Sequence, residues 1–267
     1  MAATPNFGWP TPDDNDLVSE GAQAIRALGD AIDGSVTALG VGFRFAGTVY
    51  FTSSGTFLKA DPLGTGDIGL RAIRVRCVGG GGGGGGTEAT GATTNSVGGG
   101  GGGGAYTESL ITDIAGLDAS VTVTVSLGGT SGAFSNGGFG GTSSFGTLVT
   151  APGGVGGLRD NALTSSTIFG GAGGNPGTGD RSSAGNGGGF GIFFSAGQFR
   201  AIGGSGGGSV LGGGARNIRA VADGDPVNGE NGRAFGGGGG GAAASRNCAA
   251  ASGGAGGPGI VIVDCFV

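Results

Sequence analysis

The sequence predicts a mainly β protein built around a glycine-rich polyproline II helix bundle, with a short N-terminal α-helix that forms a trimeric coiled coil. Three observations lead there. Glycine takes 74 of 267 positions, against about 7% in ordinary proteins, and much of it falls in unbroken tracts. Between the tracts lie short runs in which apolar and polar residues alternate, the period of a strand. Near the start, one stretch carries an apolar stripe at helical spacing instead. The expected division is residues 1–40, an attachment arm with a trimerising helix, and 41–267, a β and glycine-rich head.

Composition narrows the class. Collagen needs glycine at every third position over long stretches with proline between, and this chain has 8 prolines and no sustained register of that kind. Disorder goes with few apolar residues and high net charge; here 37% of residues are hydrophobic and the net charge is −5. A packed glycine architecture is left. The basic residues are twelve arginines and one lysine, Lys59, spread along a chain of pI about 4.6. That distribution offers no stripe for phosphates, so no nucleic-acid partner is expected. No run is apolar enough for membrane insertion. Residues 1–10 lack the basic end and apolar core of a secretory signal. Cys77, Cys248 and Cys265 do not make a disulfide framework and read as buried reduced thiols.

Element by element, residues 1–16 form an extended arm. Its Phe7 and Trp9 are expected to dock onto something, because free termini seldom spend aromatics on solvent. Residues 13–39 read as a helix, opened by Asp13, Asp14 and Asp16, where the dipole favours anions. Its stripe runs through Leu17, Gly21, Ile25, Leu28, Ile32 and Leu39. With three glycines in it, at about 1 kcal/mol each against alanine, such a helix is marginal alone. Packing on identical copies would bury the stripe, and packing on its own domain is the alternative. Val49, Phe51 and Phe57 around Ser53-Ser54-Gly55 predict a β-hairpin. Ile73, Val75 and Cys77 alternate with Arg74 and Arg76 as a strand with one solvated face. Further strands are expected at 106–114, at Val121, Val123 and Val125, more weakly at 144–150, and at 260–267, the best buried candidate.

The glycine tracts at 79–86, 98–104, 152–157, 170–179, 185–191, 203–214 and 236–241 pose an energetic problem. Ordering backbone costs roughly 1–2 kcal/mol per residue, and glycine is at the unfavourable end. A polyproline II chain has no internal hydrogen bonds, so neighbours lying side by side can pair their N–H and C=O groups laterally. Only glycine permits that approach. An eight-residue tract would be roughly 25 Å long. Segments 87–97, 180–184, 192–202, 215–235 and 242–252 would then emerge as exposed tips, where function usually lies.

Two stretches carry a family resemblance. Phe7-Gly8-Trp9-Pro10-Thr11-Pro12-Asp13-Asp14, with Asp16-Leu17-Val18 and Ile25-Arg26-Ala27-Leu28-Gly29-Asp30-Ala31-Ile32-Asp33, resembles the N-terminal segment of many phage tail and fibre proteins. Phe51-Thr52-Ser53-Ser54-Gly55-Thr56-Phe57, Ile73-Arg74-Val75-Arg76-Cys77-Val78 running into glycines, and Gly256-Gly257-Pro258-Gly259-Ile260-Val261-Ile262-Val263 resemble the glycine-rich domain of phage tail fibres and minor tail proteins, over residues 48–267. A more distant similarity is to tip adhesins of T-even-like phages, which pack glycine helices in layers and bind receptors through the loops between. The resemblance implies a virion protein, a homotrimer, attachment to other tail proteins through the arm, and contact with a host surface glycan or protein. It shares no loop motif with those adhesins and identifies no receptor.

Chemistry finds little purchase. With no histidine, Ser–His–Asp and Cys–His catalysis are excluded, and so is histidine-bound zinc. Gly203-Gly204-Ser205-Gly206-Gly207 fits G-x-S-x-G only as glycine-rich sequence does by chance. No cofactor is expected, and no catalysis. Asp223, Asp225, Asn228, Glu230 and Asn231 are dense in hard oxygen ligands without EF-hand spacing, and read as a solvated loop. The sharpest anomaly is 190–200. There Phe190, Phe193, Phe194, Phe199 and Arg200 would form either an exposed contact for a receptor or a buried plug, toward which aromatics lean. The leading expectation is a tail fibre or tail tip that contacts the host through loops between tracts. Its rivals are a purely architectural fibre and, more remotely, an ice-binding glycine bundle, which thermal hysteresis would reveal.

Overall fold

The structure, a computed structural model, describes residues 2–4, 9–11, 18–39, 44–160, 166–193 and 201–267. The chain divides into two compact units, Met1–Arg44 and Phe45–Val267.

In the first unit, β1 (Ala2–Ala3) pairs antiparallel with β2 (Pro10–Thr11), and β2 packs against α1 (Val18–Leu39). The indole Nε1 of Trp9 donates to Ser35 Oγ at 2.8 Å. The arm is therefore folded back on its own helix rather than extended, because the indole finds both cover and an acceptor there. Ala24 is the most buried helical side chain described, while Leu28 and Ile32 are half-buried. Ile25, expected on the same stripe, is 64% exposed. Leu17 and the side chain of Leu39 lie outside the described residues.

The second unit begins with β3 (Phe45–Phe51), β4 (Gly55–Leu58), β5 (Ala72–Val78), β6 (Ser96–Val97), β7 (Tyr106–Ile111) and β8 (Ser120–Thr124). It continues with β9 (Ser143–Phe145), β10 (Val149–Ala151), β11 (Ser166–Ile168), β12 (Arg181–Ser183) and β13 (Gly191–Phe193). Last come β14 (Ala201–Gly203), β15 (Ile218–Ala220), β16 (Ala243–Ala244) and β17 (Ile260–Phe266). Two antiparallel sheets, in orders β12-β7-β5-β17-β3 and β10-β9-β8-β4, face each other as a sandwich. Phe57, Ile73, Val75, Cys77, Val121, Val123, Phe145, Val261 and Val263 fill it. The rings of Phe57 and Phe145 meet edge-on at 5.4 Å.

Two details correct the sequence reading. The segment around Ser53-Ser54-Gly55 is not a hairpin: β3 pairs with β17 and β4 with β8, so this turn carries the chain from one sheet to the other. The run 144–150 forms a hairpin of its own, β9 with β10. The terminal run is an inner strand of the larger sheet, flanked by β3 and β5. A continuous apolar stretch suits that position, which is covered on both faces.

From one end of the sandwich the strands run directly into glycine. Tract 79–87, continuing β5, donates its backbone N–H groups to three neighbours in strict rotation. Residues 79, 82 and 85 bond to 105, 102 and 99; residues 80, 83 and 86 bond to 141, 138 and 135; residues 81, 84 and 87 bond to 257, 254 and 251. These bonds are 2.8–3.1 Å long. Its carbonyls accept from tracts 127–132, 152–158 and 236–242. The recipients of its donated bonds run antiparallel to it, and the tracts that donate to it run parallel. Tract 98–105 repeats the scheme, donating to 152–158, 186–189 and 236–242 and accepting from 79–85, 171–174 and 204–207.

The neighbours are bonded to one another in closed rings around these two tracts. Among the described residues the result is a hexagonal lattice in four rows: 135–141, 152–158 and 169–174; then 127–132, 79–87, 98–105 and 185–189; then 251–257, 236–242 and 204–208; then 229–233 and 212–215. Glycine is obligatory inside it. A Cβ on Gly84 or Gly101 would lie under 3.0 Å from backbone atoms of the adjacent tract.

At the far end the tracts are closed by a second apolar cluster. The sheet β11-β13-β14-β15 and the pair β16-β6 bring Val97, Phe193, Ala201, Ala220 and Ala243 together. The glycine lattice is thus held between two β caps, and the tracts pack within one chain.

Candidate binding surfaces of the glycine lattice

Outside the unbroken glycine of 79–86, 98–104 and 236–241 the first-row tracts read Gly-Gly-X, and X marks the direction that faces away from the lattice. The first row carries three such series: Asn136, Phe139 and Thr142; Pro152, Val155 and Leu158; Phe169, Ala172 and Asn175. Backbone pairing sets their levels. The bonds from Gly137 to Gly157 and from Gly140 to Gly154 place Phe139 beside Val155, and the bond from Val155 to Ala172 continues the line. The nine side chains therefore form a three-by-three array without a charge. Phe139 is 73% exposed and Phe169 63%. Leu158 is also exposed, as is Leu127 on the adjoining tract.

The opposite side of the lattice is polar. Glu230 accepts from Arg216 Nε at 2.7 Å and lies 3.5 Å from Arg233. Bonding to Arg216 is the main reason its carboxyl lies below the usual carboxylate range. Asn228 Oδ1 accepts from the Ser252 amide, and Asn231 Oδ1 from the Ala255 amide, each at 2.9 Å. Asp223 pairs with Arg246 at 3.5 Å. The oxygen-rich loop is therefore spent on edge amides and arginines rather than gathered at one point.

The sequence-predicted contact residues separate. Phe190 is exposed, its ring edge-on to Phe169 at 5.5 Å. Phe193 is only 4% exposed and belongs to the far-end cluster with Val97 and Ala201. It lines that core, so it drops out of the exposed set: β13 alternates, and Phe193 points inward where Ile192 points out. Phe194, Phe199 and Arg200 lie outside the described residues. The segments 87–97 and 242–252, expected as polar tips, are pinned together instead. The Ala251 amide donates to Thr87 Oγ1 at 2.8 Å, and the Cys248 amide to Thr90 Oγ1 at 3.0 Å. Thr87, Asn95, Ser96 and Ser245 are buried there. Ser205 is a lattice residue whose carbonyl accepts from Gly189.

On the face of the larger sheet turned away from the sandwich core, Asp264 bridges Arg76 at 2.9 Å and Thr48 at 2.7 Å. Glu108 accepts from Tyr106 at 2.6 Å and from Arg74 at 3.2 Å. The tyrosine hydroxyl is the largest of the effects that hold the Glu108 carboxyl below its ordinary range. Burial, then the carboxylate, pushes Tyr106 up to about 12. Cys77, Cys248 and Cys265 are free and buried. Burial drives Cys77 up to about 12 and Cys265 to about 11, so neither is a thiolate near neutrality.

The array on the first row was missed by reading the tracts as featureless glycine. The Gly-Gly-X spacing in Pro152–Leu158 and Phe169–Asn175 was the available signal. A family model described as a glycine-rich domain matches residues 52–266, which takes in every lattice tract and both β caps apart from β3. No curated protein matches the chain.

Proposed function

The chain belongs to the glycine-rich domain family, and on that footing we propose that it is a non-enzymatic structural protein of a tailed-phage virion, a tail fibre or tail tip component that touches the host surface. The tracts are polyproline II helices. The observation that carries this reading is the rotation of hydrogen-bond partners with a period of three residues, the number per turn of that helix. A lattice so bonded is stiff along and across the tracts, which suits a part that must hold a shape at the end of a fibre. The N-terminal resemblance to tail proteins supports a virion location. Ile25 on α1, apolar and exposed, is available to identical copies, in keeping with a homotrimer. Host contact falls to the far-end loops with Phe190 at their margin, and a surface glycan or protein is the ligand.

The pinning of 87–97 to 242–252 favours a second reading, an architectural fibre without a receptor. Adsorption distinguishes the two. Purified chain should compete with phage for host cells, and Phe190→Ser, at an exposed position outside the far-end core, should weaken the competition while preserving folding. No competition by the intact chain supports the architectural reading. Gold-labelled antibody that fails to mark the tail of intact virions would end the virion assignment. A circular dichroism spectrum without the polyproline II signature would end the helix assignment.

A further inference from the structure

We infer that the uncharged three-by-three face of the first row is an interface between copies of this chain. This rests on the reading of the protein as a self-associating fibre component and names the surface through which the heads meet.

Four observations carry it. First, the face is too apolar to be left to water. Phe139, Phe169, Leu158 and the flanking Leu127 are all exposed on adjacent tracts, while monomeric proteins rarely expose contiguous apolar patches beyond a few hundred Å². Aromatic side chains bury about 150–250 Å² each when fully covered. At their observed exposures these four with their small neighbours amount to on the order of 600 Å², close to the ~800 Å² per partner of a standard interface.

Second, none of the nine array positions is charged, although the chain as a whole carries −5. Charge depletion with aromatic enrichment is the mark of an interface core. Two like-charged copies meet there without repulsion. Third, the lattice is polar on its other side, where Glu230, Arg216 and Arg233 lie. One side is suited to water and the other to a partner. Fourth, the side chains at every third residue forbid extension of the lattice itself. A further glycine tract laid on the first row would meet Phe139, Val155 and Leu158 where the inner tracts meet bare backbone. The cover must therefore pack side chain against side chain, as a second copy of the same face does.

The test uses the full chain. Light scattering gives the mass across a dilution series, and hydroxyl-radical footprinting reports exposure of Phe139 and Phe169. Both rings should be protected in the assembled form and labelled severalfold faster on dilution. The double variant Phe139→Ser/Phe169→Ser should weaken association about tenfold or more, as loss of central aromatic anchors does. Ala172→Arg, which places like charges across the interface at an exposed position, should do the same without removing any packed side chain. Ile25→Asp, in the helix, is run beside them. The inference is overturned if the chain is monomeric throughout, or if both face variants keep the wild-type mass and the rings label equally in both forms. It also falls if the face variants lose host adsorption at unchanged mass, which would assign the face to a host ligand. Dissociation by Ile25→Asp alone would leave the helical trimer standing and remove the face.

Discussion

Replacing Gly101 with alanine should unfold a large part of the lattice, while the same replacement at Gly187 should be harmless or stabilising. Gly101 is buried in a central tract, and a Cβ there would lie under 3.0 Å from the carbonyl of Gly82 and from the oxygen of Gly83. Tracts 79–87 and 98–105 would have to separate by about 1 Å to restore an ordinary contact. The bonds between them, from residues 79, 82 and 85 to 105, 102 and 99, are 3.0, 2.8 and 2.9 Å long. A shift of that size takes all three beyond bonding distance. At roughly 0.5–1.5 kcal/mol net for each bond, and more for each buried donor left unsatisfied, the loss is about 3–5 kcal/mol. That is a large share of the 5–15 kcal/mol typical of a folded protein. Gly187 is exposed, and its nearest atom to a new Cβ is 3.7 Å away; Gly213 has nothing within 4 Å. Neither has the positive φ that would strain alanine, so each variant should gain about 0.4–1 kcal/mol through a less disordered unfolded state. Urea denaturation followed by circular dichroism measures the three variants side by side. Equal midpoints for Gly101→Ala and Gly187→Ala would refute the claim that backbone packing holds the lattice.

Three further outcomes follow from the packing and its charges. Phe145→Ala, which empties the sandwich core beside Phe57, should cost about 3–5 kcal/mol in the same assay, and a loss below about 1 kcal/mol would mean that this core is loosely packed. Cys77, Cys265 and Tyr106 all have raised pKa values when folded. Their protonated forms therefore stabilise the native state fully below the unfolded values, and stability should decline as pH rises from about 9 toward about 12. Cys77→Ala should flatten that decline, and an unchanged slope would exclude the thiol as a contributor. Asn231→Ala removes the acceptor of the Ala255 amide. It should cost about 1 kcal/mol and speed hydrogen exchange at Ala255, with exchange elsewhere in 251–257 serving as the internal reference.

How far these features are legible from the chain differs by element. The strands at Ile73, Val75 and Cys77 and at Val121 and Val123 follow from alternation alone, since one face is buried and the other is not. The turn at Ser53-Ser54-Gly55 was misread as a hairpin because local pattern gives strand and turn but not which partner each strand takes. Phe193 shows the same limit. Its neighbours Phe190 and Ile192 are exposed, and only the pairing of β13 with β11 and β14 decides which residue points into the cluster. The folded-back arm was missed because Ser35, the acceptor for Trp9, is far along the sequence and carries no motif.

By itself the sequence determined the chemistry of the lattice: tracts without side chains can satisfy buried backbone only by bonding to other backbone, and Gly-Gly-X records which tracts lie at a surface. Tertiary structure alone decided which tract lies beside which. An N–H of glycine carries no identity, so nothing in 79–87 marks 98–105, 135–141 and 251–257 as its partners. That choice goes with the strands and loops at the two ends, which set the direction and register of each tract.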